Sequence, residues 1–274
     1  MGKKLVASLL LIAFAVTVGA YYVLNFKSGT LTKGEENVKF AVYYGPVNST
    51  VVDYLNHFDI VVLDPSQVNT SVLSRIEAVK LAYIDLGEMT GHVVGDCRSP
   101  ELEVIGYDTL WNQSIVNVSS HAWVDYIKCQ VSTAMSMGFK GVMFDDLDVA
   151  EQYNFTAPGM IEVLSWTRQN FPDAVVAINR GFYVLPHVCK YVDYVLVEDF
   201  GSKVVKAGEL TEVSPDEVIK DVELVRSCGL KPLGLSYAYE PHDSLYSYSA
   251  DLARELKVPL FVTNWNVTAL WPQP

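Results

Sequence analysis

The chain has 274 residues, half of them apolar, and a formal net charge of −12. This length fits one large domain or two small ones, and α/β barrels run to about 250 residues as a single domain. The acidic balance argues against a nucleic-acid partner, because a phosphate-binding surface needs clustered Lys and Arg. It fits a neutral or cationic ligand, or simply a soluble surface.

The N-terminal residues 1–25 predict an export segment. Lys3 and Lys4 precede an uncharged run over residues 5–24, which is long enough to cross a bilayer as a helix with the lysines left inside. A secretory signal peptide has the same order of features, and residues 18–20 (VGA) offer a cleavage site. The segment is therefore either an uncleaved anchor, which makes the membrane a partner, or a signal peptide. In both cases the rest of the chain is extracellular or at the cell surface.

Sequons for N-linked glycosylation support export. Half of the twelve asparagines lie in Asn-X-Ser/Thr triplets, an enrichment that suggests glycosylated surface loops. The six are Asn48, Asn69, Asn112, Asn117, Asn154 and Asn266.

After a polar, Gly-containing linker at residues 26–37, short runs rich in β-branched and aromatic residues alternate with helical patterns. Continuous apolar runs suit parallel strands that are buried on both faces. The predicted strands are 38–44, 60–63, 80–85, 140–145, 174–179, 193–198, 232–237 and 259–264. Eight strand–helix units predict an α/β fold, a single (β/α)8 TIM barrel over residues 38–274.

Helix-end signals agree with this alternation. Ser119 or Ser120 can cap a helix that Gly138 ends, and Ser214 followed by Pro215 opens another. Only ten residues follow the eighth predicted strand, so we expect no full eighth helix. The C-terminal tail, the linker or a partner chain would then cover that side of the barrel.

The four cysteines permit disulfides in an oxidising compartment. No CxxC motif occurs, which disfavours a zinc or thioredoxin-like site. Of the three pairings, we favour Cys97–Cys129 with Cys189–Cys228, because the predicted barrel makes these pairs neighbours. Four free, buried cysteines are the alternative.

Familiar cofactor and catalytic signatures do not occur. There is no Gly-rich dinucleotide or P-loop motif, no H-E-x-x-H and no G-x-S-x-G, and the five histidines form no ligand-spaced pair. The sequence therefore predicts neither a cofactor nor a metal ion, and it carries no signal for an oligomeric state.

Polar side chains at the strand ends are the remaining candidates, since α/β barrels carry their sites at the C-terminal ends of the strands. A single Asp there is usually a helix N-cap, but five consecutive strands, the second to the sixth, end in or beside an acid or amide. The candidate residues of the mouth are Tyr43, Tyr44, Asp64, Tyr83, Asp85, Glu88, Asp145, Asp146, Asp148, Asn179, Arg180, Glu198, Tyr237, Asn264 and Trp265.

Carboxylates with aromatic side chains and no cofactor match glycoside hydrolysis, which uses one carboxyl group as general acid and a second as nucleophile or base. Tyr43, Tyr44, Trp123 and Trp265 are aromatic rings that can stack on sugars, although core or rim packing is the favoured role for any one of them alone. Because side chains alternate along a strand, at most one member of each adjacent acid pair, 145–146 and 198–199, points into the mouth.

Four segments carry a family resemblance: 81–88 (LAYIDLGE), 138–149 (GFKGVMFDDLDV), 177–182 (AINRGF) and 194–200 (YVLVEDF). Together they resemble the extracellular barrels of glycoside hydrolase family 114, which includes endo-α-1,4-polygalactosaminidases. The resemblance covers residues 38–265.

The resemblance implies that Asp145 and Glu198 are the catalytic carboxylates. We assign them as nucleophile and acid/base, and the reverse assignment is the alternative. Asp85 and Glu88 match the region of the family that lines the substrate groove, and Asn179 matches its strand-5 Asn.

Two positions depart from the family pattern. Asp146 stands where the family commonly has Asn, and Arg180 stands where it often has a small residue. Arg180 can bind an anionic group on the glycan. Alternatively, it neutralises Glu198 and lowers the pKa of that carboxyl group.

Three functional hypotheses follow. The first is an exported glycosidase that cleaves a surface or extracellular polysaccharide, and an amino-sugar polymer would suit the acidic mouth. The second is a non-catalytic glycan-binding barrel on the cell surface. The third is a hard-metal site built from Asp145, Asp146 and Asp148.

Overall fold

The computed structural model describes residues 38–274, and the predicted export segment and linker lie outside this range. Within it, no helix is both long enough and apolar enough to cross a bilayer. Eight parallel strands form the central sheet: β1 Phe40–Tyr43, β2 Ile60–Leu63, β3 Val79–Asp85, β7 Gly141–Asp145, β8 Val175–Asn179, β9 Tyr194–Val197, β12 Lys231–Tyr237 and β13 Leu260–Thr263.

The strand order is β1-β2-β3-β7-β8-β9-β12-β13, and every neighbouring pair is parallel. The first and last strands lie in contact, and the rings of Phe40 and Phe261 are 6.2 Å apart across this junction. The sheet thus nearly closes into a barrel, which confirms the predicted (β/α)8 fold. The main difference is at β9, where Glu198 follows the strand instead of ending it.

Helices cover the outside of the sheet. They are α1 Ser49–Leu55, α2 Thr70–Leu73, α3 His121–Met137, α4 Val149–Gln152, α5 Ala157–Asn170, α6 Leu185–Val188, α7 Pro215–Ser227 and α8 Ser244–Leu256. Ser120 precedes α3, and Gly138 ends it with a φ of 109°. The Ser214 side chain caps α7 by accepting from the backbone N–H of Glu217.

Two excursions leave the barrel at the C-terminal ends of its strands, and the sequence did not predict either. A three-stranded antiparallel sheet follows β3, with β4 (Glu88–Met89), β6 (Gln113–Val116) and β5 (Val104–Asp108) in that order. A hairpin of β10 (Ser202–Lys206) and β11 (Glu209–Glu212) follows β9. These strands are short and half exposed, so they lack the apolar runs that marked the barrel strands.

Within the described residues, no helix follows β13, and the C-terminal tail covers this strand instead. The side chain of Gln273 accepts from the backbone N–H of Val262 at 2.7 Å and donates to its carbonyl at 3.1 Å. Tyr54 and Tyr246 donate their hydroxyl groups to the carbonyls of residues 271 and 272. Within residues 38–274, the C-terminal tail therefore covers this side of the barrel, as one of the expectations from the sequence proposed.

Both favoured disulfides are present. Cys97–Cys129 ties the first excursion to α3, and Cys189–Cys228 joins the end of α6 to the end of α7, with Cα–Cα distances of 6.0 and 5.7 Å. Residues 38–274 contain no free cysteine.

Candidate active site

Four barrel strands deliver their last residues to one region of the mouth: Asp85, Asp145, Asn179 and Tyr237. Asp85 and Asp145 are direct partners in the register of β3 and β7. Parallel pairing places the strand ends side by side, which is why residues far apart in sequence meet here.

A left-handed residue follows two of these strands, β7 and β8, and another follows Glu198 just after β9. Asp146, Arg180 and Asp199 have φ angles of 60°, 50° and 62°, a region that non-glycine residues rarely adopt. The chain therefore reverses just after Asp145 and Asn179, and just after Glu198.

Asn179 is the centre of the site. It is buried, and its Nδ2 atom donates both to Oδ1 of Asp145, at 2.8 Å, and to Oε2 of Glu198. The same Asp145 oxygen also accepts from the backbone N–H of Asp146 at 2.8 Å. The hydroxyl of Tyr237 donates to the other oxygen of Glu198. Both carboxyl groups are thereby held in place by two donors each.

Asp85 is held by a separate set of donors. The hydroxyl of Tyr83 donates to its Oδ1 at 2.5 Å, and the hydroxyl of Thr90 donates to Oδ2. The Tyr83 ring packs on the rings of Tyr44, at 4.4 Å, and His92, at 5.6 Å. Tyr44, Tyr83 and Asp85 were predicted from the sequence, whereas Thr90 and His92 were not.

Asp64 anchors the first excursion. Its buried carboxylate pairs with Nδ1 of His92 at 2.6 Å and accepts from the backbone N–H of Ser66 at 2.8 Å. Burial favours the neutral acid, but the hydrogen bond and charge of His92 lower the pKa of Asp64 below its usual value. The same hydrogen bond raises the pKa of His92, because it stabilises the protonated imidazole.

Burial and mutual repulsion raise the pKa values of the central carboxyl groups. Burial and the charge of Glu198 raise the pKa of Asp145 to about 7, while its hydrogen bonds oppose the shift. Burial and the charge of Asp199 likewise raise the pKa of Glu198 to about 7. Burial and the charge of Asp145 raise the pKa of Asp85 to about 7. The site thus holds protons near neutral pH.

Glu88 and Asp146 extend the acidic region. Burial, with the charges of Asp108 and Asp148, raises the pKa of Glu88 to about 8. Burial, with the charge of Asp145, raises the pKa of Asp146 well above its usual value. Asp148 lies at the N-cap position of α4, although its side chain makes no capping hydrogen bond.

Arg180 pairs with Asp199 at 3.4 Å. Burial raises the pKa of Asp199 to about 6 while the charge of Arg180 opposes that shift. The charge of Glu198 also helps to raise the pKa of Arg180, so the two groups attract each other, but burial and the charge of Asp199 keep the pKa of Glu198 above its usual value.

Three aromatic or amide candidates lie outside this cluster. Tyr43 is buried against Gly45 and donates to the carbonyl of residue 46. The Asn264 side chain accepts from the backbone N–H groups of residues 268 and 269 and so stabilises its own turn. Trp123 is buried in the core, where its indole donates to the carbonyl of Leu86, so it is not an exposed stacking face.

Trp265 is half-buried at the rim, where its ring stacks on that of Trp111. Trp111 was not predicted from the sequence. Among the described residues, no group of three or more His, Cys, Asp or Glu side chains has the arrangement of a metal site, including the three aspartates at 145–148.

The family model described as glycoside-hydrolase family GH114 matches residues 25–227. The chain belongs to glycoside-hydrolase family GH114. The match includes the segments that carry Asp85, Asp145, Asn179 and Glu198, and it identifies this GH114 protein as a glycosidase. Tyr237 lies beyond the matched range. No curated protein sequence shows significant similarity to the chain.

Solved structures share the fold at low identity. The glycoside hydrolase domain of PelA from Pseudomonas aeruginosa has a TM-score of 0.69 at 20% identity, covering 85% of this chain and 96% of that chain. Ega3 of Aspergillus fumigatus, in complex with galactosamine, has a TM-score of 0.63 at 15% identity, covering 88% and 97%. A GH18 chitinase from Pseudoalteromonas aurantia has a TM-score of 0.55 at 11% identity, covering 85% and 94%. The GH114 protein therefore has the barrel of these glycosidases.

Proposed function

We propose that this GH114 protein is an exported, retaining endo-glycosidase that cleaves an amino-sugar polymer, with Asp145 as the nucleophile and Glu198 as the general acid/base. The observation that carries the proposal is the single nitrogen of Asn179 that donates to both carboxyl groups.

The shared donor limits the distance between the two carboxyl groups. Two oxygens bonded to one nitrogen are at most about 6 Å apart, twice the length of a hydrogen bond. Retaining glycosidases keep their carboxyl groups about 5–5.5 Å apart, whereas inverting enzymes need about 6.5–9.5 Å to admit a water molecule. The spacing between Asp145 and Glu198 therefore favours retention.

The hydrogen-bond partners favour one assignment of roles. Asp145 accepts from a backbone N–H, which can only donate and so favours the ionised form that a nucleophile needs. Besides the shared Asn179, the partner of Glu198 is the hydroxyl of Tyr237, which can donate to a carboxylate or accept from a carboxylic acid. Glu198 thus tolerates both protonation states, as an acid/base residue must.

The reaction then runs in two steps. Asp145 attacks the anomeric carbon while the glycosidic bond breaks, and Glu198 gives its proton to the departing sugar oxygen. Glu198, now ionised, takes a proton from water as that water attacks the glycosyl ester. The sugar leaves with its original configuration, and both residues return to their starting states.

The charge of the mouth favours a cationic substrate. Asp85, Glu88, Asp145, Asp146 and Glu198 interact closely, and their repulsion raises their pKa values. Protonated sugar amines would relieve that repulsion. Ega3, which shares the barrel fold, was crystallised with galactosamine. We therefore propose an α-1,4-linked galactosamine polymer as the substrate.

Hydrolysis of this polymer tests the proposal. The wild type should release reducing ends from de-N-acetylated α-1,4-galactosaminan and should cleave the fully acetylated polymer more slowly. Proton NMR of the first product should show the α-anomer. Initial formation of the β-anomer would refute retention, and equal rates on both polymers would refute the charge argument.

Substitutions test the assignment of residues. D145N and E198Q should each lose at least about 10³-fold in kcat, and azide should restore turnover of an activated aryl glycoside only in an E198A variant. D251N removes an exposed carboxylate of α8 and is the matched control that should keep wild-type activity. Full activity in D145N or E198Q would reject the assignment.

We also propose that residues 1–25 direct export, that 26–37 form the linker, and that the barrel of 38–274 is glycosylated. The sequon asparagines are exposed except for Asn117, which is partly exposed. Asn48 and Asn69 cap helices through their oxygen atoms, which leaves the amide nitrogen for a glycan. The intact mass of the secreted protein should fall on enzymatic release of N-glycans, and an unchanged mass would contradict this.

A further inference from the structure

The large apolar side chains that are well exposed all lie on the face of the barrel that carries the acidic residues. Among residues 38–274, every large apolar side chain that is exposed belongs to a segment between the C-terminal end of a barrel strand and the next major helix. These residues are Val104, Tyr107, Trp111, Phe155, Tyr183, Val205 and Tyr239. Exposed apolar groups concentrated on one face indicate a binding surface.

Trp111 and Trp265 form a stacked aromatic pair on this face. Their rings are nearly parallel, with an interplanar angle of 12° and centroids 6.4 Å apart, and Trp111 is 40% exposed. Both backbones are held by turns. The Asp108 carboxylate accepts from the backbone N–H of Trp111 at 3.1 Å, and the Asn264 side chain fastens the turn that carries Trp265.

The pair spans one side of the mouth. Trp111 lies in the turn between β5 and β6, in the excursion after β3, while Trp265 lies two residues beyond β13. Because β13 adjoins β1, the contact reaches past the ends of β1 and β2. Gly208, in the hairpin after β9, lies beside the indole nitrogen of Trp265. Both excursions therefore meet at this pair.

We propose that the Trp111–Trp265 pair is a sugar-binding subsite for a pyranose unit of the bound chain. The proposal rests on the proposed function. An indole offers a flat apolar face to the C–H groups of a pyranose ring, and it attracts a protonated amine by a cation–π interaction. The exposed face of Trp111 receives the sugar while Trp265 supports it from behind. An amino-sugar polymer supplies both kinds of contact.

Substrates of two lengths test the subsite. On the galactosamine polymer, W111A should raise KM at least about ten-fold with kcat within two-fold of wild type. On an aryl α-galactosaminide, which reaches only the acid centre, W111A should match wild type in both constants. W111F, which keeps an aromatic face, should stay within three-fold of wild type on the polymer. W166F, an aromatic change on the outer helix α5, is the control and should change neither constant.

Trp265→Ala provides a second test of the same pair, because Trp111 loses its support in this variant. KM on the polymer should rise as in W111A, and the two changes together should do little more than either one alone. An unchanged KM for the polymer in W111A, at unchanged melting temperature, would overturn the subsite while leaving the proposed hydrolysis intact.

Binding separates the subsite from catalysis. If the wild type cleaves neither substrate, the proposed function fails, and retention on immobilised galactosamine polymer then decides the subsite alone. The subsite is supported if wild type and W166F bind to the immobilised polymer and W111A does not. The subsite is overturned if wild type and W111A bind to the polymer equally well, or if neither binds.

Discussion

Asp145 and Glu198 accept hydrogen bonds from the same nitrogen, Nδ2 of Asn179. One side chain therefore fixes the separation of two carboxyl groups that lie on different strands. It also lowers the pKa of each, against the effect of burial and mutual repulsion.

Removing this donor should impair catalysis. We expect N179A to lower kcat by about 10²–10³-fold, the usual cost of losing a buried donor in an active site. The pKa values of both carboxyl groups should rise further, which moves the acid limb of kcat/KM to higher pH. N179D, which has nearly the same shape but adds a negative charge, should lose at least as much activity. An N179A variant within three-fold of wild type would contradict this role.

The pH dependence of kcat/KM should be bell-shaped with a maximum near pH 7. The active form has one carboxyl group ionised and the other protonated, and burial raises the pKa of both Asp145 and Glu198 to about 7. At lower pH both are protonated and the nucleophile is lost. At higher pH both are ionised and the acid is lost. Initial rates of reducing-end release between pH 4 and pH 10 check this, and a plateau below pH 5 would contradict it.

Thermal stability should fall as the pH rises from about 4 to about 8. The folded-state pKa values of Asp85, Glu88, Asp145 and Glu198 are raised to about 7 or 8. The folded protein therefore binds more protons than the unfolded chain in this range, and each deprotonation costs stability. We expect the melting temperature at pH 5 to exceed that at pH 8.

The variant E88Q provides the control for this effect, because it removes the carboxyl group with the highest of these values. Its melting temperature should depend less on pH and should exceed that of wild type at pH 8 by about 3 °C or more. A wild-type melting temperature that rises steadily from pH 4 to pH 8 would contradict the shifts.

The two disulfides should stabilise the fold equally but affect binding differently. Losing either bond, which closes a loop of 32 or 39 residues, should cost about 3–4 kcal/mol on the chain-entropy model. C97A/C129A also frees the excursion that carries Trp111, so its KM for the polymer should rise. C189A/C228A is the matched control and should lose stability alone. Denaturant unfolding and polymer kinetics measure the two effects.

The barrel and the line of acids at its mouth could be predicted because they depend on local patterns. Each barrel strand is an apolar run, and parallel pairing brings the strand ends together whatever the loops do. Asp85, Asp145 and Asn179 were identified from their positions alone. The prediction from side-chain alternation fits one acid pair only: Asp199 pairs with Arg180, whereas Asp146 interacts with Asp145, Asp85 and Glu88 in the acidic region.

Contacts made by the long loops could not be predicted in the same way. His92 pairs with Asp64 28 positions earlier, and no pattern along the chain links them. Trp111 meets Trp265 only because an excursion of 35 residues after β3 folds into its own small sheet. Asn264 looked like a ligand-binding amide but is used by its own turn. A sequence pattern indicates where a side chain starts, and tertiary contacts decide what it touches.

The left-handed residues after three strands change how family variation at these positions is understood. Asn tolerates a φ near 60° better than most side chains, so the Asn that the family commonly has in place of Asp146 suits the backbone before it suits any sugar. Arg180 and Asp199 occupy the same conformation and stabilise each other as a pair. In this chain, Asp146, Arg180 and Asp199 therefore shape the backbone after three strands as well as placing their side chains.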